Sequence, residues 1–146
     1  MQVTDNTILI TGGGRGVGRG LAEAFHAEGN KVIIAGRGKK ALEETVSANP
    51  GMKAAVVDVT DGDAIVRFAN QMKRDYPALN VVILNAGIMR AELVQGGGLA
   101  DAEAIVATNL LGPIRLTAAL LPMLLSKPRA AIMTQCLPGW HSCRWQ

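Results

Sequence analysis

Thr11-Gly12-Gly13-Gly14-Arg15-Gly16-Val17-Gly18 lies between an apolar run, Thr7-Ile8-Leu9-Ile10, and a helical pattern in which Val17, Leu21, Ala24 and Phe25 recur on one face. A strand that runs through a glycine-rich turn into a helix has a specific physical use. The backbone turns sharply there, and without side chains it can approach a pyrophosphate closely. The N–H groups at the helix start and the positive end of its dipole then face the phosphate. A merely flexible turn is the plainer alternative, but the strand before and the helix after are what the phosphate-binding mechanism requires. The chain has 17 glycines in 146 residues, above an average near 7%, and this turn is the centre of the excess.

The same alternation continues outward. Gly29 stops the first helix. Lys31-Val32-Ile33-Ile34-Ala35 reads as a second strand, and a helix from about Lys39 to Ala48 ends at Asn49-Pro50-Gly51. Ala54-Ala55-Val56-Val57 is the third strand. Thr60 is the expected N-cap of a helix whose face is Ile65, Ala69, Met72 and Tyr76, closed by Pro77. Val81-Val82-Ile83-Leu84 is the fourth strand. After Gly96-Gly97-Gly98 a long helical stretch runs from about Ala100 to Ser126, and Ala130-Ala131-Ile132-Met133 is a fifth strand. Strands that are apolar throughout are buried on both faces, which means a parallel sheet with helices on both sides. The expected fold class is α/β: a doubly wound, Rossmann-like parallel sheet, incomplete at its C-terminal side. Residues 1–134 form the domain, and residues 135–146 are an atypical tail.

Composition narrows the function. Hydrophobic residues are 49% and charged residues 18%, which excludes a disordered chain. Aromatics are 3% and the net charge of +3 is scattered, so no nucleic-acid partner is expected. No unbroken apolar run reaches the roughly 18–20 residues of a membrane span, since Arg115, Pro122 and Lys127 interrupt the longest. No secretory signal opens the chain. The expectation is no membrane and a cytoplasmic location. Cys136, His141 and Cys143 lie close together in the tail, but match no standard zinc spacing, so no metal is expected.

The glycine spacing is T-G-x-x-x-G-x-G, carried by Thr11, Gly12, Gly16 and Gly18, and not G-x-G-x-x-G. Asp58-Val59 follows the third strand, Asn85-Ala86-Gly87 follows the fourth, and Asn109 sits in the long helix. With these four motifs in order, residues 1–134 resemble the short-chain dehydrogenase/reductase family. The resemblance implies that Thr11, Gly12, Gly14, Arg15, Gly16, Val17 and Gly18 cradle a dinucleotide. It implies that Asp58 and Val59 contact the adenine, and that Asn85, Ala86 and Gly87 line the cofactor and steady the sheet. Asn109 takes the place of the family's catalytic Asn. By itself Asn109 is a polar residue beside a helix break. Pro113 has no N–H for the carbonyl four residues back, so a kink at Gly112-Pro113 is expected to free the Asn109 carbonyl, which in the family resembles a holder of relay water.

The cofactor's phosphate is also legible. NAD recognition wants a carboxylate at the end of the second strand, but that strand ends Ile34-Ala35-Gly36-Arg37. Arg37 offers a fork of donors suited to a 2′-phosphate, and Arg15 a second. Both placements resemble those of NADP-preferring members, so NADP is expected over NAD. Solvated surface charge is the alternative for both arginines.

The family's catalytic Ser and Tyr-x-x-x-Lys have no counterpart. The single tyrosine, Tyr76, is followed four residues later by Asn80. Both tryptophans and both cysteines fall between residues 136 and 146, where the composition breaks. One permitted codon set for residues 135–146, read from its third base, translates as V-S-S-G-L-A-F-V-P-L-A, similar to the family's serine segment. The tail is therefore expected to be a frameshifted reading of a longer gene. The reading is an NADP-dependent oxidoreductase acting on a small carbonyl or alcohol, present here as a cofactor-binding half without turnover. A homo-oligomer is expected for the full-length parent. Two alternatives remain: a non-catalytic dinucleotide-binding or interaction module, and a fold for another adenosine cofactor.

Overall fold

The structure, a computed structural model, describes residues 3–89 and 99–135. The chain alternates β1 (Thr7–Thr11), α1 (Gly16–Ala27), β2 (Lys31–Gly36), α2 (Lys39–Ala48), β3 (Lys53–Val56), α3 (Gly62–Asp75) and β4 (Val81–Leu84). Then follow α4 (Ala100–Val106), a π-helical turn (Ala107–Leu111), α5 (Gly112–Leu125) and β5 (Ala131–Thr134). All strand pairs are parallel, in the order β3-β2-β1-β4-β5. The sheet is therefore wound in both directions from β1, and the direction reverses between β1 and β4. Gly96–Gly98 and the tail from Cys136 onward lie outside the described residues.

Every residue of β1 and β4 is buried, as their unbroken apolar sequence requires. Alternation along the strands sends side chains to two cores. Leu9, Ile33, Val82 and Leu84 pack with Ile65, Phe68 and Met72 of α3 and with Leu116, Leu120 and Leu124 of α5. Ile8, Ile10, Ile34, Val81 and Ile83 pack on the other face with Ala22 of α1 and Leu42 of α2. This is the expected doubly wound architecture. β5 is an edge, and Met133 on it is 44% exposed.

Several local expectations change. The N-cap of α3 is Asp61, whose carboxylate accepts the Ala64 N–H at 3.0 Å. Thr60 turns back instead, its N–H and hydroxyl both bonding Asp58. The buried face of α3 includes Phe68, while Tyr76 caps its C-terminus and is only half-buried. Ala100 to Leu125 run as one helix, which Arg115 and Pro122 do not interrupt. Its length is as expected, but it is the one helix among the described residues long and apolar enough to cross a membrane, so the expectation that Arg115 and Pro122 break the apolar run is corrected. Here Leu116, Leu120 and Leu124 bury one side of it against the sheet. At Pro113, where a kink is expected, the helix opens into the π-helical turn. The Gly112 N–H bonds the Ala107 carbonyl, five residues back, so a widened turn accommodates the proline.

Candidate dinucleotide site

The topological reversal leaves a crevice beyond the C-terminal ends of β1 and β4, where open α/β sheets bind ligands. The glycine turn fills one side of it. Gly12 has φ +70° and Gly16 φ +53°, backbone that L side chains rarely adopt. Gly18 has a steric reason instead. A Cβ there would lie 2.3 Å from the Gly12 carbonyl oxygen and 2.3 Å from Asn85 Nδ2. Its absence lets the start of α1 close onto the end of β1. Gly14 packs on α2, its absent Cβ 3.3 Å from Leu42. Gly13, which sequence reasoning passed over, is buried, and a Cβ there would meet Ile34 Cγ2 at 2.5 Å. The run of three glycines was the available signal.

Thr11 and Asn85 tie the turn to β4. The Thr11 hydroxyl accepts the N–H of Asn85 at 3.1 Å and of Ala86 at 3.0 Å, and Asn85 Nδ2 donates to the Thr11 carbonyl at 3.0 Å. On the other side, the Gly12 N–H donates to the Ala35 carbonyl of β2 at 2.7 Å. The turn is thus fixed to both neighbours of β1. Arg15 precedes α1 in extended conformation and makes no side-chain cap, and the first turn of α1 holds no acidic residue. The N–H groups there keep the electrostatic character an anion needs. Val17 is exposed in that first turn, and Gly87 is exposed after β4.

Arg37 is exposed at the end of β2. Asp58 faces the same edge, and Asp58 Oδ1 takes two hydrogen bonds from Thr60, at 2.9 and 2.7 Å. Burial pushes its pKa up, but the Thr60 N–H and hydroxyl and the Arg37 charge outweigh it and hold the carboxyl below its ordinary value. Asp58 is therefore a carboxylate at neutral pH, with Arg37 in its field. The Val59 side chain is buried in the core, against the side of α5 that Gly112 leaves open.

Asn109 is exposed, and its side chain spans Ile88. Its Oδ1 accepts the Ile88 N–H at 2.9 Å and its Nδ2 donates to the Ile88 carbonyl at 2.8 Å. The π-helical turn thus anchors the segment after Asn85-Ala86-Gly87. Tyr76 lies elsewhere, before the N-terminal end of β4, where its carbonyl accepts the Leu79 N–H. Burial, then the neighbouring Asp75 charge, raise its pKa; its place at the opposite end of the strands from the glycine turn keeps it out of the crevice. Among the described residues no cluster of His, Cys, Asp or Glu could hold a metal. Cys136, His141 and Cys143 lie outside them.

Comparison with known proteins agrees with this geometry. The family model described as short chain dehydrogenase matches residues 6–136. The chain is 35% identical over 136 residues to the uncharacterized oxidoreductase DltE of Bacillus subtilis, covering 91% of this chain and 54% of that protein. It is 32% identical over 142 residues to dehydrogenase/reductase SDR family member 7B of Bos taurus, covering 90% of this chain and 43% of that protein. A short-chain dehydrogenase from Streptomyces avermitilis superposes with a TM-score of 0.81 at 32% identity, over 88% of this chain and 48% of that one. Serine dehydrogenase from Escherichia coli gives 0.79 at 26%, over 87% and 60%. The chain spans about half the length of the curated relatives it matches. A match that begins before β1 and ends after β5, over a turn held to both neighbouring strands, makes this chain a member of the short-chain dehydrogenase family.

Proposed function

We propose that the chain binds NADP(H) and is the cofactor-binding half of an oxidoreductase that moves a hydride between the nicotinamide and a small carbonyl or alcohol. The glycine turn pinned to β2 and β4 at the topological reversal carries this reading. Thr11, Gly12, Gly14, Gly16, Val17 and Gly18 form the phosphate cradle, with Asn85, Ala86 and Gly87 along its β4 side. Asp58 serves the adenine end, with the Val59 backbone beside it. Asn109 supports the nicotinamide side by fixing Ile88. A cytoplasmic location, without nucleic-acid or membrane partners, belongs to the same reading: aromatics are few, the basic residues are scattered, and one side of the long apolar helix packs on the sheet.

Arg37 and Arg15 favour NADP over NAD. No carboxylate ends β2 to accept from a ribose hydroxyl or repel a 2′-phosphate, and Arg15 and Arg37, which follow β1 and β2, are both exposed. Two charge-assisted contacts, discounted for solvent screening, amount to a preference of about one to two decades. Titration calorimetry should find NADPH bound that much more tightly than NADH, and Arg37→Asp should reverse the order. Equal affinities in the unaltered chain would remove the assignment.

The parent is read as a homo-oligomer. Val106, Leu110, Ile114, Leu121 and Leu125 are exposed on the long helix at helical spacing, and β5 leaves an open edge. In the 146-residue chain such surfaces drive self-association at micromolar concentration. A monodisperse monomer by light scattering would contradict this.

A second reading, a dinucleotide-binding module without catalysis, is favoured by one observation: the single tyrosine lies before β4, at the end of the strands away from the glycine turn. The nucleotide sequence separates the two. A gene whose own frame continues through residues 135–146 as given, with no dehydrogenase frame beside it, favours the module.

A further inference from the structure

Thr45 lies on α2 and touches no part of the crevice itself, yet it is fully buried. Its hydroxyl is 2.9 Å from the Ala41 carbonyl, one helical turn back, and 3.3 Å from the Gly14 carbonyl in the glycine turn. A hydroxyl has one proton to give, so the two carbonyls share it. The Ala41 carbonyl also lies in the hydrogen-bond ladder of α2. The Gly14 carbonyl has no other protein partner among the described residues. A backbone carbonyl left unpaired against an apolar helix face is costly.

The surroundings make this contact consequential. Gly13 is pressed on Ile34 of β2 and Gly14 on Ala41 and Leu42 of α2, with no room for a Cβ at Gly13. Gly14 is the last residue held this way. Arg15 is exposed and extended, and around Gly16 a Cβ would meet nothing. The direction of the N–H groups at the start of α1 therefore depends on how the Gly14 peptide is held.

We propose that Thr45 is a positioning residue for the phosphate-binding turn: its buried hydroxyl holds the Gly14 carbonyl and so aims the N–H groups of residues 15–17 at the ligand. The functional consequence rests on the dinucleotide reading above; the hold on the turn does not. Thr45→Val keeps the shape and removes the proton. Thr45→Ser keeps the proton and removes a methyl group.

The test pairs amide hydrogen exchange, read by peptide across the full chain, with titration of NADPH. In Thr45→Val, exchange across residues 12–17 should quicken several-fold while β1 and α2 keep their rates, and NADPH should bind about three- to tenfold more weakly. Thr45→Ser should restore both. Unchanged exchange in the turn of Thr45→Val overturns the proposal. So does a quickening spread equally over α2, which would make Thr45 a packing residue only. If the unaltered chain binds neither NADPH nor NADH, the cofactor reading fails, and the exchange measurement alone decides whether Thr45 holds the turn.

Discussion

No NADPH will be consumed at ordinary enzyme rates, about 1–10³ per second, when the 146-residue chain is assayed on a panel of aldehydes and ketones. Carbonyl reduction needs a proton delivered to the developing alkoxide as hydride arrives. General acid catalysis contributes about 10²–10⁴-fold, and hydrogen bonds to the oxyanion about 10²–10³-fold more. The family resemblance assigns these roles to a Ser, a Tyr and a Lys, and the one tyrosine of the 146 residues, Tyr76, has Asn80 four residues on. Tyr76 sits before the N-terminal end of β4, at the opposite end of the strands from the glycine turn. Asn109 spends both polar atoms of its side chain on Ile88. The expected result is cofactor binding with turnover lower by about four orders of magnitude or more. Shifting the tail into the alternative frame, with the rest of the gene behind it, should restore activity. Turnover by the 146-residue chain at enzymatic rates would mean that another residue donates the proton.

Gly18→Ala should be the most damaging single-methyl change in the turn. The new Cβ would sit 2.3 Å from the Gly12 carbonyl oxygen and 2.8 Å from the Gly12 carbonyl carbon. Both are backbone, on a residue fixed to Ala35 by a 2.7 Å hydrogen bond. Neither can rotate away, so α1 must move off β1. Overpacking of this kind costs about 1–3 kcal/mol, more where the backbone must shift. A loss near the top of that range lowers Tm by about 10 °C for a chain of this size, and NADPH affinity should fall about 100-fold as the cradle opens. Two controls separate the causes. Gly16→Ala meets no atom within 4 Å but keeps a φ of +53°, and should cost about 1–2 kcal/mol through backbone strain alone. Gly20→Ala has open space and no positive φ, and should stabilise α1 by about 0.5–1 kcal/mol. Gly18→Ala with unaltered Tm and affinity would mean that the turn closes differently from the geometry described here.

The sheet was legible because its central strands β1, β2 and β4 are apolar nearly throughout and buried on both faces, whereas β3 and β5 carry the same apolar sequence and are largely exposed or half-buried. β4 and α2 fall where the sequence puts them, and β2, β3 and β5 shift by a single residue. The glycine turn was legible from its spacing and its place between strand and helix. Less legible was the start of α3. Asp61 caps α3 in place of Thr60 because Asp58 draws both the N–H and the hydroxyl of Thr60. Both residues are good caps, and local sequence does not rank them.

What the sequence determined by itself was periodicity and punctuation: five strands, their crossover helices, and a turn in which side chains are forbidden. Those depend on neighbours along the chain and on the two-sided burial that an unbroken apolar strand demands. Only the tertiary structure decided which glycine avoids which atom, because Gly18 is forced by a carbonyl six residues away and by the side chain of Asn85, just after β4. It alone decided how the chain accommodates Pro113. The missing N–H falls beside a π-helical turn, with Asn109 spanning Ile88 and Gly112 against Val59. It alone brought Thr45 to Gly14, 31 residues apart in sequence, since a threonine inside a helix carries no mark of the loop that folds over it.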